Sequence, residues 1–253
     1  MRTLTGAGGT TLAVRTSGPI DTRPPVLLVH GMGSDHSTWR STASMLRRAG
    51  RTVIAPDLRG HGRSAHTGDY SLGSFADDLR AVVDDLGVEQ ADVIGHSLGA
   101  HSALRLAMEH PTRVRSLVLE EVPPMPRDDA DLAEEITMGA GLGERVRGIA
   151  ALLRNPLPVL RCDRAVGEAV QQQFAVADPG WWERLPEVTT RTLVISGGTR
   201  SFLQPRHLRD LATALPESGF EQFDVGHSVH RDAGPAFNSA VGQFLGLAGT
   251  RPA

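Results

Sequence analysis

Apolar residues along this chain alternate between short β-branched runs and stripes at helical spacing. Two short alternating segments, 2–5 and 10–16, open the chain. "PPVLLVHG", closed by glycine, predicts a buried parallel strand at 26–30. A helix pattern over about 37–49 is followed by "TVIAPDLRG", a strand ending in a turn. In "SLGSFADDLRAVVDDLG" the residues Phe75, Leu79, Val82, Val83 and Leu86 form one helical stripe, and Gly87 marks its stop. "ADVIG" reads as a strand, 98–110 as a helix bounded by Pro111, and "VRSLVLEEV" as a strand again.

The rhythm breaks at 123–186, which offers no strand pattern, carries prolines at both ends and is acidic near its start. Then "RTLVISGG" restores a strand, 205–214 a helix, "GFEQFDVGH" a strand and 235–246 a last helix. The implied fold is α/β: a doubly wound, mostly parallel eight-stranded sheet flanked by helices. A core of 1–122 and 187–253 would carry a small helical cap, 123–186, inserted before the last two strands.

Ligands of such sheets bind outside the carboxyl ends of the strands, and each strand here delivers a polar group at that end. His30 and Gly31 follow the first buried strand, Asp57 the second, Ser97 the third, Glu121 the fourth and His227 the last. Gly95-His96-Ser97-Leu98-Gly99 fits G-x-S-x-G in the strand–turn–helix setting that exposes a nucleophilic serine. The competing reading is a serine that merely caps a helix. A serine hydroxyl needs a base, and His227 in "DVGHSVH" lies just past the last strand, with His230 as its near competitor.

Bulk properties narrow the partners. The 253 residues include 40% hydrophobic and 22% charged ones, ordinary for a globular chain, and the formal net charge is −3 with no basic block. Neither nucleic acid nor an anionic membrane is expected as partner. A single cysteine, Cys162, excludes an internal disulfide. No signal-like or membrane-spanning stretch stands out, so a soluble, cytoplasmic protein is expected. No metal-ligand spacing is found and no cofactor is expected.

"HGMG" at 30–33, "DLRGHGRS" at 57–64, "GHSLG" at 95–99 and "GH" at 226–227 together resemble the α/β-hydrolase family over roughly residues 24–246. In most members the triad carboxylate follows the strand after the cap. Here that segment is "LVISGGTRSFLQP", without a carboxylate and with Arg200 about where the acid is expected. A smaller set, including haloalkane dehalogenases, carries the acid at the end of the strand before the cap, which here reads "LVLEEVPP". Side chains alternate along a strand, so Glu120 and Glu121 are not both expected to face the histidine, and the family pattern selects Glu121. The pair could instead start the cap as solvated charge. The resemblance further implies an oxyanion hole from the backbone N–H groups of Leu98 and Met32, with Gly31 and Gly33 letting that loop pass close to the substrate. His30, Asp57, His61 and Ser64 belong to structural signatures.

The reaction so implied is cofactor-independent cleavage of a carboxylic ester or lactone in a small-molecule acyl substrate, by a Ser97–His227–Glu121 triad through an acyl-enzyme. The same serine site would suit C–C cleavage of a 1,5-diketone, thioester acyl transfer or haloperoxidase-type side chemistry. A ligand receptor on a hydrolase scaffold is the non-enzymatic reading. Trp181, Trp182, Met125, Met138 and Phe174 either line the substrate pocket or simply pack the cap onto the core, and Phe202, just after "GGTRS", is a further wall candidate.

Overall fold

In the computed structural model, which describes residues 1–18, 23–134, 153 and 155–247, the strands are β1 (Arg2–Thr5), β2 (Thr11–Ser17), β3 (Val26–Val29), β4 (Val53–Pro56), β5 (Ala91–His96), β6 (Val114–Glu120), β7 (Arg191–Ser196) and β8 (Ser218–Gln222). They form one eight-stranded sheet in the order β1-β2-β4-β3-β5-β6-β7-β8. Pairings β1–β2 and β2–β4 are antiparallel, and all others are parallel. The helices of the core are α1 (Arg40–Arg48), α2 (Leu72–Asp85) and α3 (Leu98–Glu109). Between β6 and β7 lie α4 (Asp129–Ala133), α5 (Leu157–Leu160), α6 (Arg164–Phe174) and α7 (Pro179–Glu183), with no strand among the described residues. The last part adds α8 (Pro205–Ala214), α9 (Val229–Asp232) and α10 (Gly234–Phe244).

Alternation of side chains explains the layering. Val26 and Leu28 join one buried cluster with Ile94, Val118, Trp39 and Phe237, under α1 and α10. Leu27 and Val29 join the other with Val93, Leu117 and Leu119, under α2, α3 and α8. Both faces being covered, the central strands carry near-continuous apolar runs such as VLLV in β3, and the buried Asp92 of β5 is paired with Arg51 and Arg115. Each such fully buried leucine or valine contributes about 1.5–3 kcal/mol, which is why a short run like VLLV is enough to place a strand at the sheet centre.

Chain direction along the sheet reverses at β3, whose neighbours are β4 on one side and β5 on the other. The loop after β3 and the turn after β5 meet at that switch, the position where ligands of such sheets bind: a Cβ on Gly31 would lie 2.7 Å from His96 Nδ1. This topology puts "HGMG" beside "GHSLG".

The first and last elements differ in detail from the sequence pattern. Residues 36–39 form a 3₁₀ turn rather than the start of α1, because Asp35 accepts the Ser37 N–H (2.8 Å) and caps it. The strand expected through "GFEQFDVGH" stops at Gln222, so Asp224 is not on it. The Gly197 carbonyl then accepts the N–H groups of both Val225 and Gly226, at 3.0 and 2.9 Å, and Gly226 turns with φ of 106°. That turn frees His227 from the sheet. Met138 lies outside the described residues.

The insertion is fastened to the core by a small aromatic stack. Trp181, 2% exposed, lies parallel to His101 of α3 with ring centres 5.5 Å apart, and Phe174 meets the same imidazole edge-on at 5.1 Å. His101 Nδ1 donates to the Pro123 carbonyl (2.9 Å) while Nε2 accepts from Arg105 Nε (2.9 Å). Tyr70 donates its hydroxyl to Asp163 (2.6 Å), and Gln173 bonds both the Leu72 N–H and the Tyr70 carbonyl.

Burial, together with the nearby Arg105 charge, pushes the His101 imidazole down to about 3. The folded protein therefore holds it neutral, whereas the unfolded chain protonates it near 6.5. The stability it contributes is present above about pH 6.5 and is lost as pH falls towards 3. Between about pH 7.5 and 5, urea unfolding should show the wild type losing about 2 kcal/mol more than His101→Gln. Equal losses in the two proteins would contradict a neutral buried imidazole at this junction.

Candidate active site

Three glycines let the turn at Ser97 exist. A Cβ on Gly95 would lie 2.6 Å from the Ala100 Cα, and one on Gly99 would lie 2.4 Å from the carbonyl oxygens of Val29 and His30. One on Gly31 would sit 3.1 Å from the Ser97 Cβ. Side chains at these positions would push α3 off β5 and β3, or the loop after β3 off the serine. Between them Ser97 adopts φ 52°, ψ −119°, a left-handed conformation that costs a non-glycine residue about 1–3 kcal/mol. Ser97 makes no side-chain capping bond to α3, so its hydroxyl is not spent on the helix. Leu98 opens α3 and is buried, its N–H among the helix's unpaired first donors.

The loop after β3 is set by His30. Its Nδ1 donates to the Gly31 carbonyl (2.8 Å), and its Nε2 accepts the Leu58 N–H (3.0 Å). Both ring nitrogens are thereby used in shaping the loop, and burial holds the imidazole below its ordinary value. Met32 is 45% exposed, with its sulfur 3.9 Å from where a Cβ on Gly167 would be, so this loop meets the insertion at α6.

β6 supplies two carboxylates, and their division of labour differs from simple alternation. Glu120 is the last strand residue, and Glu121 leaves the strand with φ of 51°. Alternation therefore stops at Glu120, and both side chains reach the turn that holds His227 and His230. Glu121 Oε2 accepts His227 Nδ1–H at 2.9 Å, and Oε1 accepts the Gly197 N–H at 2.5 Å. The Ser201 hydroxyl also donates to Oε2. Glu120 instead takes the His230 N–H at 2.9 Å and its Nδ1 at 2.8 and 2.9 Å. Both glutamates are fully buried, not solvated charge. Burial pushes the Glu120 carboxyl up to about 7, while burial holds His96 and His230 well below the usual histidine range.

His96 links the two halves. Its Nε2–H donates to the His227 carbonyl (2.8 Å), and the two rings are 4.8 Å apart. The Phe202 ring lies 4.2 Å from His227, tilted by 35°. The structure thus gathers Gly31, Ser97, Glu121, Phe202 and His227 at the carboxyl ends of β3, β5, β6, β7 and β8. Trp181, Trp182 and Met125 pack at the junction of the insertion and α3: Trp182 donates to the Met125 carbonyl (2.7 Å), and Arg127 stacks on its ring.

Sequence reasoning did not single out Ser201, Gly197 or Thr38. The signal for Ser201 was present in "SGGTRS", where the segment lacking a carboxylate offers donors for one instead. Ligand atoms of His96, Glu120 and His230 lie within 4.8 Å of one another. Yet His96 Nε2 serves the His227 carbonyl, and the ring nitrogens of His230 serve Glu120 and, at 2.6 Å, Thr38 Oγ1. A metal ion would have to displace those bonds, so the cluster reads as a hydrogen-bonded array.

Known proteins agree with this architecture. The sequence model described as alpha/beta hydrolase fold matches residues 24–157, more than half of the chain. The chain belongs to the alpha/beta hydrolase fold family. This hydrolase is 30% identical over 252 residues to a 2-hydroxymuconate semialdehyde hydrolase of a Pseudomonas species, covering 87% of this chain and 86% of that one. It is 26% identical over 259 residues to the mouse sn-1-specific diacylglycerol lipase ABHD11, covering 88% and 81% respectively. The enol-lactonase of Burkholderia xenovorans shares its fold with a TM-score of 0.79 over 97% of this chain and 100% of its own, at 24% identity. No helix among the described residues of this hydrolase is long and apolar enough to cross a membrane.

Gly99→Ala should destabilise the hydrolase by about 3 kcal/mol in urea unfolding, since backbone oxygens cannot move out of the way. Gly73→Ala, in α2 with nothing within 4 Å of its added Cβ, should stabilise by about 0.5 kcal/mol. A Gly99→Ala protein as stable as wild type would refute the close approach of α3 to β3.

Proposed function

We propose that the protein is a cofactor-independent serine hydrolase of carboxylic esters or lactones, with Ser97 as nucleophile, His227 as base and Glu121 as the acid of the triad. The observation that carries this reading is the 2.9 Å contact of Glu121 Oε2 with His227 Nδ1, on the turn whose His227 carbonyl accepts from His96, the residue before the strained serine. A carboxylate on Nδ1 fixes the tautomer in which Nε2 is the basic nitrogen, and it stabilises the imidazolium formed when that nitrogen takes a proton.

In the proposed reaction Ser97 Oγ attacks the acyl carbon as His227 takes the hydroxyl proton. The carbonyl oxygen becomes an oxyanion, held by the backbone N–H groups of Leu98 and Met32. His227 returns the proton to the departing alkoxide, leaving an acyl-enzyme. Water then adds with its proton passing to His227, and the acid and free Ser97 are released. The N-terminal end of α3 favours the developing negative charge. Glu121 is kept an acceptor by the Gly197 N–H and the Ser201 hydroxyl, both of which donate to it.

Substrate choice is assigned to the insertion and the loop after β7. Phe202, beside His227, is the proposed wall of the acyl site, and Met32 the wall where the loop after β3 meets α6. Trp181, Trp182 and Met125 would act on specificity by holding the roof in place. A small-molecule acyl compound with apolar character is the proposed ligand class. The similarity to a 2-hydroxymuconate semialdehyde hydrolase favours a second reading, hydrolysis of a C–C bond beside a ketone by the same groups.

A p-nitrophenyl ester series of rising acyl length tests the first reading. Ser97→Ala should lower kcat by at least about 1000-fold and Glu121→Gln by about 100-fold or more. Ser201→Ala should lower kcat about tenfold with KM nearly unchanged, since it removes one donor to the Glu121 carboxylate. Wild-type turnover of a vinylogous 1,5-diketone but of no ester in the series would replace ester cleavage with C–C cleavage. Full activity in Glu121→Gln would remove Glu121 from the triad.

A further inference from the structure

A carboxylate with no exposed surface and no lysine or arginine bonded to it is costly, and packing alone would be served as well by an apolar side chain. Among the described residues Glu120 is such a group, and the catalytic scheme above does not use it. Its bonds reach the backbone of Ser97 and the segment just beyond His227. The Glu120 carbonyl accepts the N–H of Ser97 itself at 2.9 Å. Its carboxylate accepts the N–H of His230, three residues beyond the proposed base, and pairs with the Nδ1 of the same residue. His230 Nε2 meets Thr38 Oγ1 at 2.6 Å, in the 3₁₀ turn that follows the loop after β3. His96, one residue before Ser97, closes the circuit through the His227 carbonyl.

We propose that Glu120, with His230, Thr38 and His96, is a positioning couple for the catalytic histidine. It fixes the main chain of the His227 turn relative to both the nucleophile and the loop proposed to supply an oxyanion donor. The inference rests on the Ser97–His227–Glu121 reading and deepens it. Adjacent glutamates at a left-handed bend serve histidines three residues apart: Glu121 holds the imidazole of His227, and Glu120 holds the backbone that carries it. Trp39 and Phe237 pack on the His230 ring at 4.3 and 6.1 Å, and the His96 ring meets it edge-on at 4.9 Å, so His230 has no room to swing.

The array has two protonation states over the same heavy atoms, the second carrying one proton more, taken up by Glu120 from solvent. Either Thr38 donates to His230 Nε2 and Nδ1–H donates to Glu120, or Glu120 carries the proton, donates to Nδ1, and Nε2–H donates to Thr38. His230 is neutral in both. A glutamine at 120 satisfies the second arrangement, with its oxygen taking the His230 N–H and its amide donating to Nδ1. Methionine fills similar volume but accepts nothing.

The test measures kcat and KM for the best p-nitrophenyl ester, with kcat normalised to Ser97 titrated by a fluorophosphonate, so that misfolded protein is not counted. Glu120→Met should lower kcat per titrated serine by about tenfold or more with KM within about twofold, because a small misplacement of a base is expensive. Glu120→Gln should recover to within about threefold of wild type. If Glu120→Met does not fold, Thr38→Val decides, with an expected fall in kcat of about threefold or more at unchanged KM. A folded Glu120→Met enzyme with wild-type kcat per serine, equal losses in the Met and Gln variants, or an unaffected Thr38→Val where that variant decides would overturn the positioning role. A wild type that neither takes the label at Ser97 nor cleaves any ester would instead overturn the serine-hydrolase reading on which it rests.

Discussion

The left-handed bend at Glu121 is the constraint on which the site depends. It comes one residue after β6 ends, where the strand ladder still holds its N–H on the Ile195 carbonyl at 2.8 Å. The bend turns a carboxylate that would otherwise point along the strand's alternation towards the last loop of the core. Gly197 and Ser201 then receive it from β7, and His227 from beyond β8. Groups from three neighbouring strand ends thus share the Glu121 carboxylate as their common partner.

Ser97 and Glu121 are the non-glycine residues of positive φ among those described, and they stand at the ends of adjacent parallel strands. The N–H of Ser97 is bonded to the carbonyl of Glu120, so the two bends are tied to each other through one backbone bond. Local strain of this kind persists only where surrounding packing over-determines it. Here the over-determination comes from close backbone approach at Gly95 and Gly99 on one side and from the fully buried carboxylates on the other. The cost of the strained turns is met by the two apolar clusters beneath them.

Much of the fold was legible in the chain because its signals are local. VLLV and ADVIG sit in a sheet covered on both faces, and Pro111 and Gly87 stop helices for steric and conformational reasons that need no tertiary context. The extent of the last strand was not legible, since it is shortened by the Gly197 carbonyl, a partner from another strand. Ser97 and His227 stood out by position at strand ends. The relation of Glu120 to Glu121 did not, because alternation applies inside a strand and the decisive φ of 51° lies one residue beyond it. For Ser201 the segment shows only that it offers donors where a carboxylate is missing; which carboxylate the hydroxyl holds is decided by another strand. Trp181 was open between pocket lining and packing, and its parallel stack on His101 is a contact of the second kind.

The central claim is that the acid acting on His227 comes from β6. The most direct measurement is the downfield proton spectrum of the protein near neutral pH, where a histidine Nδ1–H held by a buried carboxylate is strongly deshielded. Wild type is predicted to show such a resonance that disappears in Glu121→Gln, persists in Ser97→Ala and is lost when His227 is replaced. A His227 resonance that survives in Glu121→Gln, or none in the wild type, would contradict the account.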